Sequence, residues 1–375
     1  MTSPRWSEYY ISNNYEQFWR ERLSDKDASV CIILGVGFDP RSLVALERLA
    51  QSGSHSQIKY VAMLLQPPEA INDVTKRTEV FTKDNRRRLE GFRGGTCVCK
   101  EEVHLRDKDG FIVGGRNAVQ MMVRCLPEIT VCRDVIVDIS GLPRTFFFPL
   151  IKYLYRQAEK GKIKNLHVTV TEDSTLDGKI HGSEYGEADY ISFFRPQSAK
   201  KLVWLPVIGK TEATRLLKIY TQLESGCVEV CPIIPFPAKN MRRADDILVE
   251  LREALFAQIY VSRNNILLCD ENTPFDIYRK VVEMDDYYKE RLKDLPGIGE
   301  VTAVVTPLAS KMLSLGTLLA AIERDLPVSY IEAGSYYIEA EGVESTVSNP
   351  EIVPVEVWLT GEPYEVTSSE DQITN

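Results

Sequence analysis

The side chains that could do chemistry gather at the ends of apolar runs. Residues 138–144 read Asp138-Ile-Ser140-Gly141-Leu-Pro-Arg144 and follow the β-branched run Val135-Ile-Val137. They offer a carboxylate, a hydroxyl, a glycine that admits a close backbone approach, and a cation. The N–H groups that open the helix expected over 145–155 point at the same spot and favour an anion. A second polar loop, Gly35-Val-Gly37-Phe-Asp39-Pro-Arg41, closes another apolar run. The remaining candidates are Glu172, Lys210 with Thr211, Ser310 with Lys311, and Glu332, each beyond a strand-like run. Together they suit a nucleotide-type anion, with cations and helix N-termini for phosphate and strand-end glutamates for ribose hydroxyls. The plainer alternative is that Asp138 and Ser140 only cap a helix and Arg144 is solvated.

Other chemistries fit less well. Gly209-Lys210-Thr211 matches the end of a phosphate-binding loop, but no glycine opens that loop, with Trp204 and Leu205 five and four residues before Gly209, which rules out an ATPase of that class. No histidine lies near a strand-end serine in the sequence, so a Ser-His-Asp set is absent. The four histidines, His55, His104, His167 and His181, form no metal pattern, and His167 alternates within a strand as a structural residue would. The eight cysteines include a C-x-C pair (Cys97, Cys99) and a C-x3-C pair (Cys227, Cys231) but no C-x2-C. Cys31, Cys132 and Cys269 lie in or beside apolar runs and read as buried thiols. No cofactor is called for.

The elements that must hold these loops alternate strand and helix. Strands are expected over 29–34, 59–65, 95–105, 135–137 and 166–171, with amphipathic helices between them. The pattern then recurs, with strands over 202–207, 228–234, 265–269, 301–305 and 327–331. Equivalent landmarks keep a near-constant offset: Gly37 with Gly209, Gln66 with Ile234, Cys99 with Cys269, Arg144 with Lys311, Glu172 with Glu332. This predicts an α/β protein of two tandem duplicated Rossmann-like domains, each a doubly wound parallel sheet. The expected strand order is 3-2-1-4-5, which sets the first and fourth loops side by side at the switch point.

The expected boundaries are an aromatic helical segment over 1–28 lying on the first domain, domains over 29–198 and 199–364, and a disordered acidic tail over 365–375. Residues 353–359 are expected to add a strand to the second domain. Apolar residues make up 44% of the chain, charged residues 26%, and the formal net charge is -9, which argues against a non-specific duplex nucleic-acid binder. No apolar run has the length of a membrane span, and the amino terminus carries no signal-peptide pattern, so a cytoplasmic protein with no membrane contact is expected.

Asp138-x-Ser140-x-x-x-Arg144 after a fourth strand resembles the signature of CRISPR-associated Rossmann-fold (CARF) sensor domains, with the loop at 35–41 as that family's polar loop after the first strand. The second copy keeps only the cation, Lys311; Val305 and Pro307 stand where the acidic residue and the hydroxyl would be. Two such units in one chain are similar to the SAVED sensors of prokaryotic anti-phage systems. The resemblance implies a cyclic or linear oligonucleotide messenger as ligand and, since the repeats use almost the whole chain, a separate protein effector; an oligomer is compatible with it. Two further readings stand beside it. Gly35-Val-Gly37-Phe-Asp39 also looks like the first motif of S-adenosylmethionine-dependent methyltransferases, though the second strand ends in Gln66-Pro-Pro, and a nucleoside-hydrolase-like cleft built on Glu172 or Glu332 belongs to the same enzyme class. The other is a structural adaptor working through its aromatic amino terminus.

Overall fold

The computed structural model describes residues 4–66, 73–183, 186–196, 201–209, 213–297, 299–339 and 352–365. The amino-terminal aromatics first give a short strand, β1 (Tyr10–Ser12), and a helix, α1 (Tyr15–Arg22), whose N-cap Asn14 accepts from Gln17 N at 3.2 Å. Residues 30–36 contain no polar side chain, and such a run suits only a strand covered on both faces. They form β2 (Val30–Val36), followed by a 3-10 turn (Pro40–Leu43) and α2 (Val44–Leu49). Then come β3 (Ile58–Leu65), α3 (Asp73–Gly91), β4 (Thr96–Val103), α4 (Gly114–Ile129), β5 (Asp134–Asp138), α5 (Arg144–Glu159), β6 (Asn165–Thr171), the short α6 (Ser174–Lys179) and β7 (Ile180–Ser183). Strands β4, β3, β2, β5 and β6 lie in that order, all parallel. Val30, Ile32, Leu34 and Val36 join Tyr15, Trp19, Leu43, Leu46 and Leu49 in one buried cluster, which fixes α1 and α2 on one face of the sheet. Burial of each such aliphatic or aromatic side chain stabilises the fold by roughly 1.5–3 kcal/mol.

The next stretch builds a second sheet. It runs through β8 (Asp189–Tyr190), β9 (Lys201–Ile208), α7 (Ala213–Leu223), β10 (Cys227–Val230), β11 (Ile233–Pro235), α8 (Arg243–Glu250), β12 (Leu267–Cys269), α9 (Pro274–Leu292), β13 (Val301–Leu308), α10 (Lys311–Arg324) and β14 (Ser329–Tyr330). Strands β10 and β11 are one sequence strand broken at Pro232, whose nitrogen has no hydrogen to give; both pair with β9. On the far side of β11 lies β12; on the other side of β9 lies β13, which Val328 extends by a parallel bridge at Val305. Read by sequence rank, the strands of this sheet run third, second, first, fourth, with the single bridge at Val328 in the fifth place, while β14 pairs antiparallel with β8. The expected order holds for all five strands in the first sheet and for four in this one. Helices α9 and α10 touch closely at Gly316, where a Cβ would meet Pro274 O at 1.9 Å.

The chain then returns to the first sheet. β15 (Ser335–Ile338) pairs antiparallel with β7, and β16 (Pro354–Thr360) pairs antiparallel with β6, with β1 added outside it. Residues 353–359 therefore extend the first sheet and not the second, against expectation. The reason is chemical: β6 presents His167 and Thr169 from its buried face, and Glu356 of β16 meets both. By contacts the chain divides into Met1–Glu8 with Glu184–Ala333 and Tyr9–Ser183 with Gly334–Asn375, so the expected boundaries 29–198 and 199–364 do not coincide with the units. The aromatic segment is divided as well. Tyr15 and Trp19 pack in the unit that holds Tyr9–Ser183, whereas Trp6 is buried edge-on against Tyr278 at 5.3 Å in the other. Of the expected tail over 365–375, residues 366–375 lie outside the described ones.

Candidate functional site

Strands β2 and β5 are neighbours at the switch point, and glycines let their ends touch. A Cβ on Gly141 would lie 2.5 Å from Gly35 O and 2.7 Å from Ser42 Oγ; one on Gly35 would lie 2.4 Å from Leu142 Cδ2. Beyond β2 the chain bends at Asp39, which accepts from Arg41 N at 2.9 Å and so caps the 3-10 turn. The Arg41 guanidinium folds back on Asp39 through two bonds, Nε to Oδ1 at 3.0 Å and Nη2 to Oδ2 at 2.9 Å, and its Nη1 donates to Asp177 Oδ1 at 2.7 Å. Arg41 is 2% exposed. Burial pulls its pKa down, but Asp39 and Asp177 outweigh that and hold it above the ordinary arginine value. Asn85 of α3 donates to Gly37 O at 2.9 Å and Asp39 O at 2.8 Å, which fixes the loop from the other side. Asn85 escaped the sequence reading. Its signal was there: Thr78, Thr82 and Asn85 recur at helical spacing and form a buried polar stripe.

The motif at 138–144 divides into two parts. Asp138 Oδ1 accepts from Ser140 N at 2.9 Å and from Ser140 Oγ at 2.5 Å, while Ser140 Oγ accepts from Thr171 N at 2.8 Å. Both side chains are buried, and this relay ties the end of β5 to the end of β6. Arg144 is the first residue of α5 and is half-buried; the first turn of α5 holds no acidic residue. Glu172 follows β6 and is half-buried.

The other unit repeats part of this. Gly209 N donates to Leu308 O at 3.0 Å, and a Cβ on Gly209 would lie 2.8 Å from Ala309 Cα, so β9 and β13 also touch where they end. Ser310 caps α10 by accepting from Leu313 N at 3.3 Å. Lys311 is the first residue of that helix, half-buried, again with no acidic residue in the first turn. Glu332 is buried just beyond β14. Lys210 and Thr211 lie outside the described residues. Among the described residues no three histidine, cysteine or acidic side chains are placed to hold a metal ion, and no helix is long and apolar enough to cross a membrane.

Compared with known proteins, the chain matches no family model and no curated protein. A crystal structure of a protein provisionally assigned as a universal stress protein, from Pseudomonas aeruginosa UCBPP-PA14, is similar at 12% identity over 82% of this chain and 95% of that one, with a TM-score of 0.23. A likeness that weak carries no weight for fold or function; the α/β class follows from the two parallel sheets themselves.

Proposed function

We propose that the chain is a sensor that binds a nucleotide-type anion, a cyclic or linear oligonucleotide among the candidates, and acts through a separate effector protein. One observation carries this reading. The helix leaving the fourth strand of each sheet opens on a half-buried cation, Arg144 or Lys311, and neither first turn holds an acidic residue. A cation at a helix N-terminus opposes the macrodipole at a cost of about 0.3–1 kcal/mol. Its recurrence at the same rank in both sheets supports an anionic ligand at each end. The shared strand order supports an internal duplication, and the CARF-like motif supports a role in prokaryotic anti-phage defence.

The carboxylates argue for binding over catalysis. Asp39 is engaged by Arg41, and Asp138 by Ser140, so neither is presented as an acid or base. A methyltransferase gains no support, because Gly35 admits Leu142 where a cofactor would approach and Gln66 follows β3 where an acidic residue would hold ribose. The test is a thermal-shift screen of mononucleotides, cyclic and linear oligonucleotides and S-adenosylmethionine. A ligand bound only by the folded state adds about 2.7 kcal/mol at a hundredfold excess over its Kd. Arg144→Ala and Lys311→Ala are each expected to shrink the shift, and the double variant to lose it. A shift given only by S-adenosylmethionine and lost in Asp39→Ala would replace this reading with the enzyme.

A further inference from the structure

The two carboxylate partners of Arg41 are held very differently, while its Nη1 also donates to the backbone Thr171 O at 3.5 Å. Asp39 grips it through both oxygens, caps the turn that carries it, and has a side chain only 10% exposed. Asp177 touches it at one point, 2.7 Å from Nη1, and its side chain is 45% exposed. Asp177 sits on the six-residue helix α6, directly before β7. Strand β7 pairs with β15 to form a two-stranded ribbon, and β15 is itself fastened: it packs on α3, and Tyr336 stacks on Phe38 of the β2 loop at 6.4 Å between ring centres. The ribbon also marks the chain's route. Ser183, after which the chain leaves this unit, pairs with Ser335, just after its return at Gly334.

We propose that Asp177 is an internal occupant of the anion position on Arg41, and that a phosphate-bearing ligand takes its place and frees α6 and the β7–β15 ribbon. The inference rests on the anion-sensor reading and gives it a regulation. The exchange keeps an anionic oxygen on Nη1, because a carboxylate oxygen leaves as a phosphate oxygen arrives. The bidentate Asp39 pair stays intact, so Arg41 remains anchored throughout. The ion pair that gives way is the single-point one, whose carboxylate is the more exposed of the two, and it is the weaker. Release of the ribbon loosens the segments through which the chain passes between units, so occupancy at Arg41 is felt beyond the loop that binds.

Hydrogen exchange on the full-length chain tests the device without any ligand. Asp177→Asn is expected to raise exchange over 180–183 and 335–338 and to leave β9, in the other sheet, unchanged; Asp177→Glu, which keeps the charge, restores protection. The second arm uses inorganic pyrophosphate as the probe. Asp177→Asn is expected to bind it about fivefold more tightly than the unaltered chain, since the internal competitor is gone, and added pyrophosphate to raise ribbon exchange in the unaltered chain. Unchanged ribbon exchange in Asp177→Asn, or unchanged or weaker pyrophosphate binding, overturns the proposal. The two claims separate cleanly. If nucleotides bind through Arg144 and Lys311 while Asp177→Asn changes neither readout, the sensor stands and this device falls. If Asp177→Asn opens the ribbon and gains pyrophosphate affinity while no nucleotide binds, the device stands and the nucleotide sensor falls.

Discussion

Gly141 shows how one residue type can carry two meanings. A glycine after a strand admits a close neighbour, and the sequence alone cannot say whether that neighbour is a ligand or the protein. Here it is Gly35 O, 2.5 Å from where a Cβ would stand, and a backbone carbonyl cannot swing aside. Gly141→Ala is therefore expected to destabilise the chain by about 1–3 kcal/mol, read as a lower thermal midpoint. Gly91→Ala, at a helix end with nothing within 4 Å, is the control and is expected to leave the midpoint unchanged or slightly raised. Equal losses in both variants would mean that the contact at Gly141 is not what matters. Ser140 carries the same double meaning. A buried hydroxyl that bridges two strand ends has the same spacing as one that contacts a ligand, and only the position of Thr171 N tells them apart.

Among the elements, β16 is the one whose place was hidden, and its contacts make it sensitive to pH. His167 is fully buried, with Nε2 3.2 Å from Asp134 Oδ1 and Nδ1 3.2 Å from Glu356 Oε1. Trp358 of β16 lies against its ring at 4.6 Å, and Trp19 and Phe18 of α1 close the remaining sides. Arg22 of α1 pairs with Asp134 at 2.7 Å and with Glu362 at 3.0 Å. Burial pulls the His167 pKa down, but the two facing carboxylates outweigh it and leave it above 6.5. Burial pushes Glu356 up, with His167 offsetting part of the effect. A group whose folded pKa lies above its unfolded value gives stability that is complete below the unfolded value and is lost as pH rises through the folded one. Both groups therefore favour the fold at the acid side. The urea midpoint is expected to fall as pH is raised from 6.5, and His167→Gln is expected to flatten that slope. A midpoint that rises over the same range would contradict the assignment. The alternation of β16 was visible in the sequence. Its partner was not, because period-two patterning tells a strand which face to bury and not which edge to join.

At the scale of the whole chain, the long-range pattern was the most legible part. Apolar runs such as 30–36 and 301–305 admit only buried strands, and their alternation with amphipathic helices leads to two sheets, the first ordered third, second, first, fourth, fifth and the other sharing the first four places. The boundaries were less legible, because the chain leaves the unit of the first sheet at Ser183 and returns to it at Gly334. A path that doubles back leaves no mark in composition. The candidate site was legible as a place more than as a set of contacts. Arg144 and Lys311 open equivalent helices as expected, whereas Arg41 is engaged by Asp39 and Asp177. The central claim is that an anion is what this chain binds. It is tested most directly by isothermal titration of the unaltered protein with each nucleotide that stabilises it and with the matching nucleoside, which lacks only the phosphate. The account predicts saturable binding of the nucleotide, weakened by added salt, and no measurable binding of the nucleoside. Equal affinity for both, indifferent to salt, would contradict it.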